Sequence, residues 1–358
     1  MKYQLKTRQI CLFFIAFLPV IKIFTLPSLA SSIAREDLWI SALVNVIIDL
    51  FTLSILLIVR NRTDKNIYNI LEDGLGEKFS KIILFTYAIF LMLKAIIPIS
   101  EQKDFIELTL YATFPSIMYF LPFFIIAFYF SNKKLRILGR TSDLLWASSL
   151  LGVVFLFALS LSNTDLFAVL PIGASGVKKI LFSSYSSLNW FGDSLYFVFF
   201  LGNYKNEKRS NLKILLSYSL AGLLVVFFFI DFYGIFSSIA FRQRFALTEI
   251  AKYSSVISNT GRFDYLSIMM ILGASLISCS VPIFFASKLL NYVFSFKKTF
   301  IAPIITVGIE LLIILLFSKF YYSFEKIATR YLGMLFLTFS TLLPCLLILF
   351  TKRRKVNE

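Results

Sequence analysis

The sequence predicts an all-α integral membrane protein with about ten transmembrane helices in a five-plus-five inverted repeat. Three observations predict it: ten long apolar stretches, short polar connections, and interruptions at equivalent places, in the first and the sixth stretch. Most stretches approach or exceed the ~20 apolar residues that a helix needs to cross ~30 Å of hydrocarbon. Interrupted spans at corresponding positions of two halves are typical of inverted repeats with a ligand site at the bilayer midplane.

The ten apolar stretches follow one another along the whole chain. They cover, roughly, residues 9–33, 38–59, 80–100, 115–131, 143–161, 181–203, 212–240, 262–290, 299–318 and 331–350. This layout assigns one repeat to about 9–161 and the other to about 181–350. Because the connections leave no room for a second folded domain, we expect residues 1–358 to form a single polytopic membrane domain.

Composition excludes an ordinary soluble protein. The mean hydropathy is +0.81, and only 16% of the residues are charged, whereas a soluble domain has ~25%. The chain has no His, which rules out a His base, a His-ligated metal and a Ser-His triad. Since no other nucleophile and base are suitably spaced, we predict no enzymatic activity, no catalytic residues, no bound metal and no cofactor.

The net charge of +16 follows the connections between spans. With the N-terminus inside, the inside connections carry about twice as many Lys and Arg residues as the outside ones. This asymmetry predicts that both termini are cytoplasmic, because short cytoplasmic loops are enriched in Lys and Arg. The basic character is therefore a matter of topology, and the expected surroundings are a lipid bilayer rather than a nucleic acid.

The N-terminus allows a second interpretation. A basic start, an apolar run and the Ser-Leu-Ala sequence at 28–30 resemble a secretory signal peptide with its cleavage site. Against it, Pro19 and Lys22 interrupt the apolar run, and removing this span would leave an odd number of spans. We therefore expect a first transmembrane span here.

Two connections have a helical pattern of their own. Segment 64–78 predicts an amphipathic helix on the cytoplasmic surface, either a functional lever or a plain connection, with one apolar face formed by Ile67, Ile70, Leu71 and Leu75. The third span is expected to run on through 101–108 to the break at 112–115. The long external loops at 161–180 and about 241–261 are candidate gates or docking surfaces. The second of them predicts a short interfacial helix with Phe245, Leu247, Ile250 and Val256.

The interruptions supply the candidate ligand-binding residues. In the first span, Pro19 removes a backbone donor, so the helix should break near residues 19–25. Thr25 then offers a hydroxyl at the start of the outer half-helix. In the sixth span, Gly192 permits irregular backbone and Asp193 supplies a carboxylate.

Charged and aromatic side chains near the interruptions complete the candidate site. Lys22 is expected to face Asp193, because a buried charge needs a partner or a water-lined cavity; a structural role for Lys22 is equally open. Trp190 and Phe191 are candidates for stacking on a ligand. Further intramembrane polar candidates are Asn45, Asp49 and Lys94, interpreted first as helix-to-helix contacts, and Asp231 and Glu310, interpreted as possible proton-coupling acids.

Several blocks of sequence resemble one family. They are LPSLA at 26–30, AREDLWIS at 34–41, the stretch from Phe-Ile at 105–106 to Thr-Phe-Pro at 113–115, DLFAVLPIG at 165–173, and GRFDYL at 261–266. In this order they resemble the B subunit of the endospore germinant receptors, in the spore germination permease family of the amino acid–polyamine–organocation superfamily. The resemblance covers the chain from the first span to the eighth, and the ten-span layout agrees with it.

The resemblance implies a LeuT-like transporter fold and a receptor role. The chain would bind a small nutrient germinant, an amino acid in the first instance, and would act with an A-type membrane subunit and a C-type lipoprotein in the spore inner membrane. The chain departs from the family at Lys22, where the family tends to have a small or apolar residue. A fixed ammonium could occupy the place of a coupling cation, which puts ion-driven transport in doubt. The alternative is a secondary active transporter of amino acids or other small amines.

Overall fold

The computed structural model describes residues 4–109, 114–205, 207–252, 264–317 and 320–351. Helices dominate these residues, and we number the α-helices in chain order. They are α1 Thr7–Phe17, α2 Leu26–Ala34, α3 Leu38–Arg62, α4 Ile67–Thr109, α5 Ser116–Ser131, α6 Arg136–Ser160, α7 Val177–Ser187, α8 Ser210–Phe236, α9 Ala246–Lys252, α10 Asp264–Phe294, α11 Ile301–Phe317, α12 Tyr321–Tyr331 and α13 Gly333–Phe350.

The helices match the predicted spans. Six helical segments of the described chain are long and apolar enough to cross a membrane, and they contain α3, α4, α6, α8, α10 and α13. The shorter apolar helices α5 and α11 lie where the fourth and ninth spans are predicted. The two remaining spans, the first and the sixth, are the interrupted ones, so each appears as two shorter helices.

The first span breaks where Pro19 predicts it. Helix α1 ends at Phe17, a 3₁₀ turn covers Val20–Lys22, and α2 begins at Leu26. Within the turn, the backbone N–H of Lys22 donates to the carbonyl of Pro19 at 3.0 Å. The α-helical pattern is therefore lost for one turn, and the predicted discontinuity at residues 19–25 is confirmed.

The sixth span breaks at Gly192. Helix α7 ends at Ser187, and Gly192 has φ +81° and ψ +17°, the left-handed conformation that glycine adopts at least cost. The span then continues as a buried 3₁₀ helix, Asp193–Phe200, rather than as an α-helix. The predicted discontinuity is confirmed.

The loop helix α9 corrects one prediction. The expected interfacial helix at 241–261 is instead buried, with Leu247 and Ile250 fully inaccessible to solvent. It packs on α6 and α10, and the N–H of Ala246 donates to the carbonyl of Phe24 at 2.8 Å. The interruption of the first span leaves that carbonyl without a helical partner, and the loop supplies one. Val256 lies outside the described residues.

The segment before the third span also forms a helix. Helix α4 begins at Ile67 and is interrupted at Gly76, where φ is +79°, so the first two turns are separate from the span. Tyr68 stacks on Tyr292 with ring centroids 4.2 Å apart, and the Tyr292 hydroxyl donates to Glu72. Ile67, Ile70 and Leu71 are buried, so the apolar face of this amphipathic segment packs on the protein. The span itself runs on to residue 109, and residues 110–113, before its predicted end, lie outside the described residues.

Both ends of the described chain lie on one face of the bundle. Leu5 pairs with Tyr204 as an isolated β-bridge, and Arg60 donates to the Tyr204 carbonyl at 2.8 Å. Arg62 donates to the carbonyl of Thr351 at 3.2 Å. We call this the termini face and the other the opposite face. An even number of membrane crossings places both ends of the described chain on the same face.

Candidate functional site

The two interruptions meet at an ion pair. The Lys22 ammonium, in the broken first span, donates to Asp193 Oδ2 at the start of the 3₁₀ helix of the sixth span. Both side chains are buried. The Lys22 ammonium also donates to the Leu18 carbonyl at 2.8 Å and lies 5.2 Å from the centroid of the Phe191 ring. A helical N–H four residues on would normally use the Leu18 carbonyl, and the break makes it available to the ammonium.

A second ammonium approaches from the third span. Lys94 Nζ donates to the Asn189 carbonyl at 3.1 Å and to the Phe191 carbonyl, and it lies 3.5 Å from Asp193 Oδ1. The last distance is that of an ion pair rather than of a hydrogen bond. Carbonyls freed after a helix carry partial negative charge, so a cation here is stabilising.

A carboxylate from the second span holds the other side of the break. Asp49 accepts hydrogen bonds from the Gly192 N–H at 3.0 Å, the Tyr218 hydroxyl at 2.7 Å and, more weakly, the Ser194 hydroxyl at 3.4 Å. Lys22, Lys94, Asp49 and Asp193 form what we call the central cluster. With two ammonium groups and two carboxylates, it is neutral when all four are ionised.

Gly192 has little space around it. A Cβ atom added there would lie 3.2 Å from the Cβ of Ser340 and 3.9 Å from the Lys94 ammonium nitrogen. The residue also has positive φ, which L-residues adopt at a cost. Any larger side chain at this position would therefore strain the backbone and press on the central cluster.

A buried carboxylate from the third span bridges both interruptions on the side of the opposite face. Glu101 accepts a hydrogen bond from the Thr25 hydroxyl, at the N-terminus of α2, and another from the Trp190 indole N–H at 3.0 Å. We call Thr25, Glu101 and Trp190 the outer layer. Glu101 was not among the candidates from the sequence, where only the expected continuation of the third span through 101–108 pointed to this segment.

The remaining candidate residues lie apart from the central cluster. Asn45 exchanges hydrogen bonds with Ser184 on α7. Asp231 accepts hydrogen bonds from one hydroxyl group at the end of α6 and from another in the connection that follows it. Glu310 is fully buried, and neither of its carboxyl oxygens has a hydrogen-bond partner among the described residues. Over the same residues, no three His, Cys, Asp or Glu side chains are grouped so as to hold a metal ion.

The space around the site is asymmetric. Beside the central cluster is a cavity of about 10 Å³ next to Asp193, Tyr196 and Ser278, which is about the volume that one water molecule needs. On the opposite face is a cavity of about 320 Å³ with Thr25 and Glu101 in its lining, which we call the vestibule. The outer layer therefore separates a roomy entrance from a closed centre.

Solved structures with a similar fold are transporters. A crystal structure of the Eremococcus coleocola manganese transporter, in complex with an aromatic bis-isothiourea substituted compound, has a TM-score of 0.57 at 11% identity, over 96% of this chain and 77% of that one. Mhp1, a nucleobase-cation-symport-1 family transporter in a closed conformation with bromovinylhydantoin bound, has a TM-score of 0.55 at 14% identity, over 94% and 78%. At such identities the likeness shows the fold alone, and it confirms the predicted class, an all-α membrane protein with five-plus-five inverted repeats.

Sequence comparison identifies the family. Among curated proteins, none matches this sequence significantly. The profile of the family described as "Spore germination protein" matches residues 4–323, which is most of the chain. The resemblance seen in the sequence is thereby confirmed, and this transporter-fold membrane protein belongs to the spore germination protein family.

Proposed function

We propose that the chain is the transporter-fold subunit of an endospore germinant receptor, which binds a small nutrient between its broken spans. The observation that carries the proposal is the meeting of the two breaks at Lys22 and Asp193 in a chain of this family. The expected nutrient is an amino acid. Binding would be transmitted to an A-type membrane subunit and a C-type lipoprotein in the spore inner membrane.

The outer layer supplies the binding chemistry. Thr25 is the N-cap residue of α2, and a helix N-terminus favours negative charge. Glu101 currently occupies this position and takes the Thr25 hydroxyl and the Trp190 indole N–H. A nutrient carboxylate would compete with Glu101 for the same donors. Its amine would face the carboxylates of the sixth-span break and the carbonyls to which Lys94 donates.

The fixed ammonium of Lys22 supports a receptor rather than an ion-driven transporter. It lies in the break, paired with Asp193 and bonded to a freed carbonyl, which is the kind of position where a coupling cation would bind. A permanently bound cation cannot be exchanged for a gradient-driven one. The alternative, a secondary transporter of amino acids or other small amines, is supported by the fold shared with solved transporters.

The proposed orientation places the termini face in the cytoplasm and the vestibule outside. Its test uses single cysteines on a chain whose three native cysteines are replaced by Ala. A membrane-impermeant maleimide applied to intact cells should label Ser238→Cys on the opposite face, and Lys208→Cys on the termini face only after permeabilisation; both positions are exposed. Labelling of Lys208→Cys in intact cells would reverse the orientation.

Nutrient titration of spores tests the binding site. Spores with Thr25→Val should need a higher nutrient concentration for half-maximal germination, because the variant lacks the outer-layer hydroxyl. Thr52→Val is the matched control, since among the described residues the Thr52 hydroxyl donates a hydrogen bond only to the Ile48 carbonyl of its own helix. Immunoblots establish equal abundance. An unchanged dose–response for Thr25→Val at normal abundance would place the ligand elsewhere.

Reconstitution separates receptor from transporter. Purified chain in liposomes should bind radiolabelled amino acid without accumulating it when a proton or sodium gradient is imposed. Gradient-dependent accumulation above that of protein-free liposomes would favour the transporter. A genomic observation bears on the same choice, since neighbouring genes for an A-type subunit and a C-type lipoprotein would favour the receptor.

A further inference from the structure

The vestibule has unmatched charges of both signs. Arg244 is matched, because its guanidinium pairs with Asp104 at 2.6 Å. The guanidinium of Arg242 instead lies 5.4 Å from the centroid of the Phe241 ring, without a carboxylate partner among the described residues. Glu325, on α12, lines the same cavity. Over the described residues its carboxyl group makes no ion pair or hydrogen bond, and the longer-range charges of Arg244 and Asp104, which pair with each other, act on it in opposite directions.

Two opposite charges that share a cavity without pairing can be matched by one dipolar molecule. A guanidinium binds a carboxylate in a planar, bidentate geometry, and a carboxylate accepts from an ammonium. A ligand with only one charge would leave the other protein charge unmatched. The cavity volume of about 320 Å³ has room for a small zwitterion, and the Leu29 and Phe241 side chains in its lining offer apolar contact.

We propose that the vestibule is a second binding site, a capture site for free α-amino acids, in which Arg242 binds the carboxylate and Glu325 the ammonium. The inference deepens the proposed function and rests on it for the role of the captured ligand. Because Thr25 and Glu101 line the vestibule and also belong to the outer layer, the capture site lies in series with the site between the breaks. An amino acid bound here is one layer of side chains away from that site.

A cysteine reporter measures occupancy of the vestibule. Ser28→Cys is made on the chain without native cysteines, since Ser28 lines the vestibule and is only half-buried. Purified full-length chain in lipid nanodiscs is treated with a maleimide, with and without a mixture of the free proteinogenic amino acids except cysteine, and then with each of them singly. Ser238→Cys is the matched control, because Ser238 lies in a neighbouring cavity of about 570 Å³. We expect amino acids to slow labelling at position 28 and not at position 238.

Chemical and protein variants identify the contacts. The N-acetyl and amide derivatives of the most protective amino acid, each of which lacks one charge, should protect position 28 weakly. Arg242→Gln and Glu325→Gln should each raise the half-protective concentration about tenfold, the change that corresponds to ~1.4 kcal/mol. Unchanged labelling in the absence of ligand, together with an unchanged gel-filtration profile, shows that these variants remain folded.

Three outcomes would overturn the capture site. They are no protection by any free amino acid, equal protection by the charge-blocked derivatives, and unchanged protection in both charge variants. This failure is distinguishable from failure of the proposed function. If amino acids protect position 28 as expected while Thr25→Val leaves germination unchanged, the capture site is supported and the site between the breaks is not. If amino acids do not protect position 28 while Thr25→Val shifts the germination response, the site between the breaks is supported and the capture site is not.

Discussion

The central cluster and the outer layer both link the first, third and sixth spans, but they do so with different chemistry. In the central cluster, ammonium groups and carboxylates pair with each other and with freed backbone groups. In the outer layer, one carboxylate, Glu101, is held by the neutral donors of Thr25 and Trp190. The central cluster lies beside a cavity of about 10 Å³, whereas the outer layer borders one of about 320 Å³.

The two regions are suited to different roles, the central cluster to structure and the outer layer to ligand exchange. Removing one member of a buried charge pair leaves an uncompensated charge, which costs ~3–5 kcal/mol, so the central cluster is suited to fixing the two breaks together. A carboxylate bound by neutral donors can be replaced by another carboxylate without stranding a cation. We therefore expect the central cluster to be needed for folding, and the outer layer to be the part that responds to a ligand.

The largest expected effect is at Asp193. Asp193→Asn leaves Lys22 and Lys94 with only Asp49 to balance them, and should lower the stability of the purified protein by ~3–5 kcal/mol. Lys22→Met should cost less, because Asp193 keeps Lys94 at 3.5 Å. The double variant should be less damaged than the sum of the two. Apparent melting temperature and abundance in membranes measure these effects.

The exposed pair Lys65 and Asp73 provides the control cycle for that prediction. Its two side chains are more than half exposed, and such pairs contribute ~0–1 kcal/mol. Lys65→Met and Asp73→Asn should therefore change the melting temperature little, alone or together. Strict additivity of the Lys22 and Asp193 changes would show that the central pair is not energetically coupled.

The next effect is at Gly192. Gly192→Ala should cost ~1–2 kcal/mol for the left-handed backbone, and more because its Cβ would press on Ser340. Gly173→Ala is the matched control, since Gly173 has φ +84° and open space around a Cβ. A greater loss of melting temperature at position 192 than at position 173 measures the crowding. Equal losses would mean that the central region can relax.

A smaller effect is expected at Glu101. Glu101→Gln keeps a hydrogen-bonding group of nearly the same shape and leaves no cation unpaired, so it should cost ~1 kcal/mol, the scale of an altered hydrogen bond. Glu310→Gln is the control, because that buried carboxyl has no hydrogen-bond partner among the described residues. Melting temperatures of both variants should exceed that of Asp193→Asn. If Glu101→Gln is as damaging as Asp193→Asn, the distinction between the two regions fails.

The sequence predicted the features that depend on local chain chemistry. Ten spans follow from hydropathy, and the two breaks follow from Pro19 and Gly192 because those residues restrict or free the backbone wherever they stand. Lys22 and Asp193 were identified because a charge inside an apolar span needs a partner. Pairing between them was the economical arrangement, and the structure contains that pair.

Features that depend on distant partners were not predicted. Glu101 is separated from Thr25 by 76 residues and from Trp190 by 89, and just past the end of the predicted third span it resembles any solvated acid. The apolar residues of α9 could have covered lipid or protein. The choice was decided by the Phe24 carbonyl, which the break leaves free to accept the Ala246 N–H, and no local pattern reports such an acceptor.

The last expected effect is a pH dependence that arises in the vestibule. The pKa of Glu325 is raised to about 7, because burial, with a smaller contribution from Asp104, outweighs the opposing effect of Arg244. Glu101 and Arg242 line the same cavity. An acid with a raised pKa in the folded state favours folding when protonated, so its contribution to stability is lost as the pH rises from about 4.5 through about 7. The melting temperature should therefore fall between pH 5 and pH 8, and Glu325→Gln, which cannot ionise, should flatten that fall. An identical pH profile for Glu325→Gln and the unmodified chain would remove Glu325 as the titrating group of the vestibule.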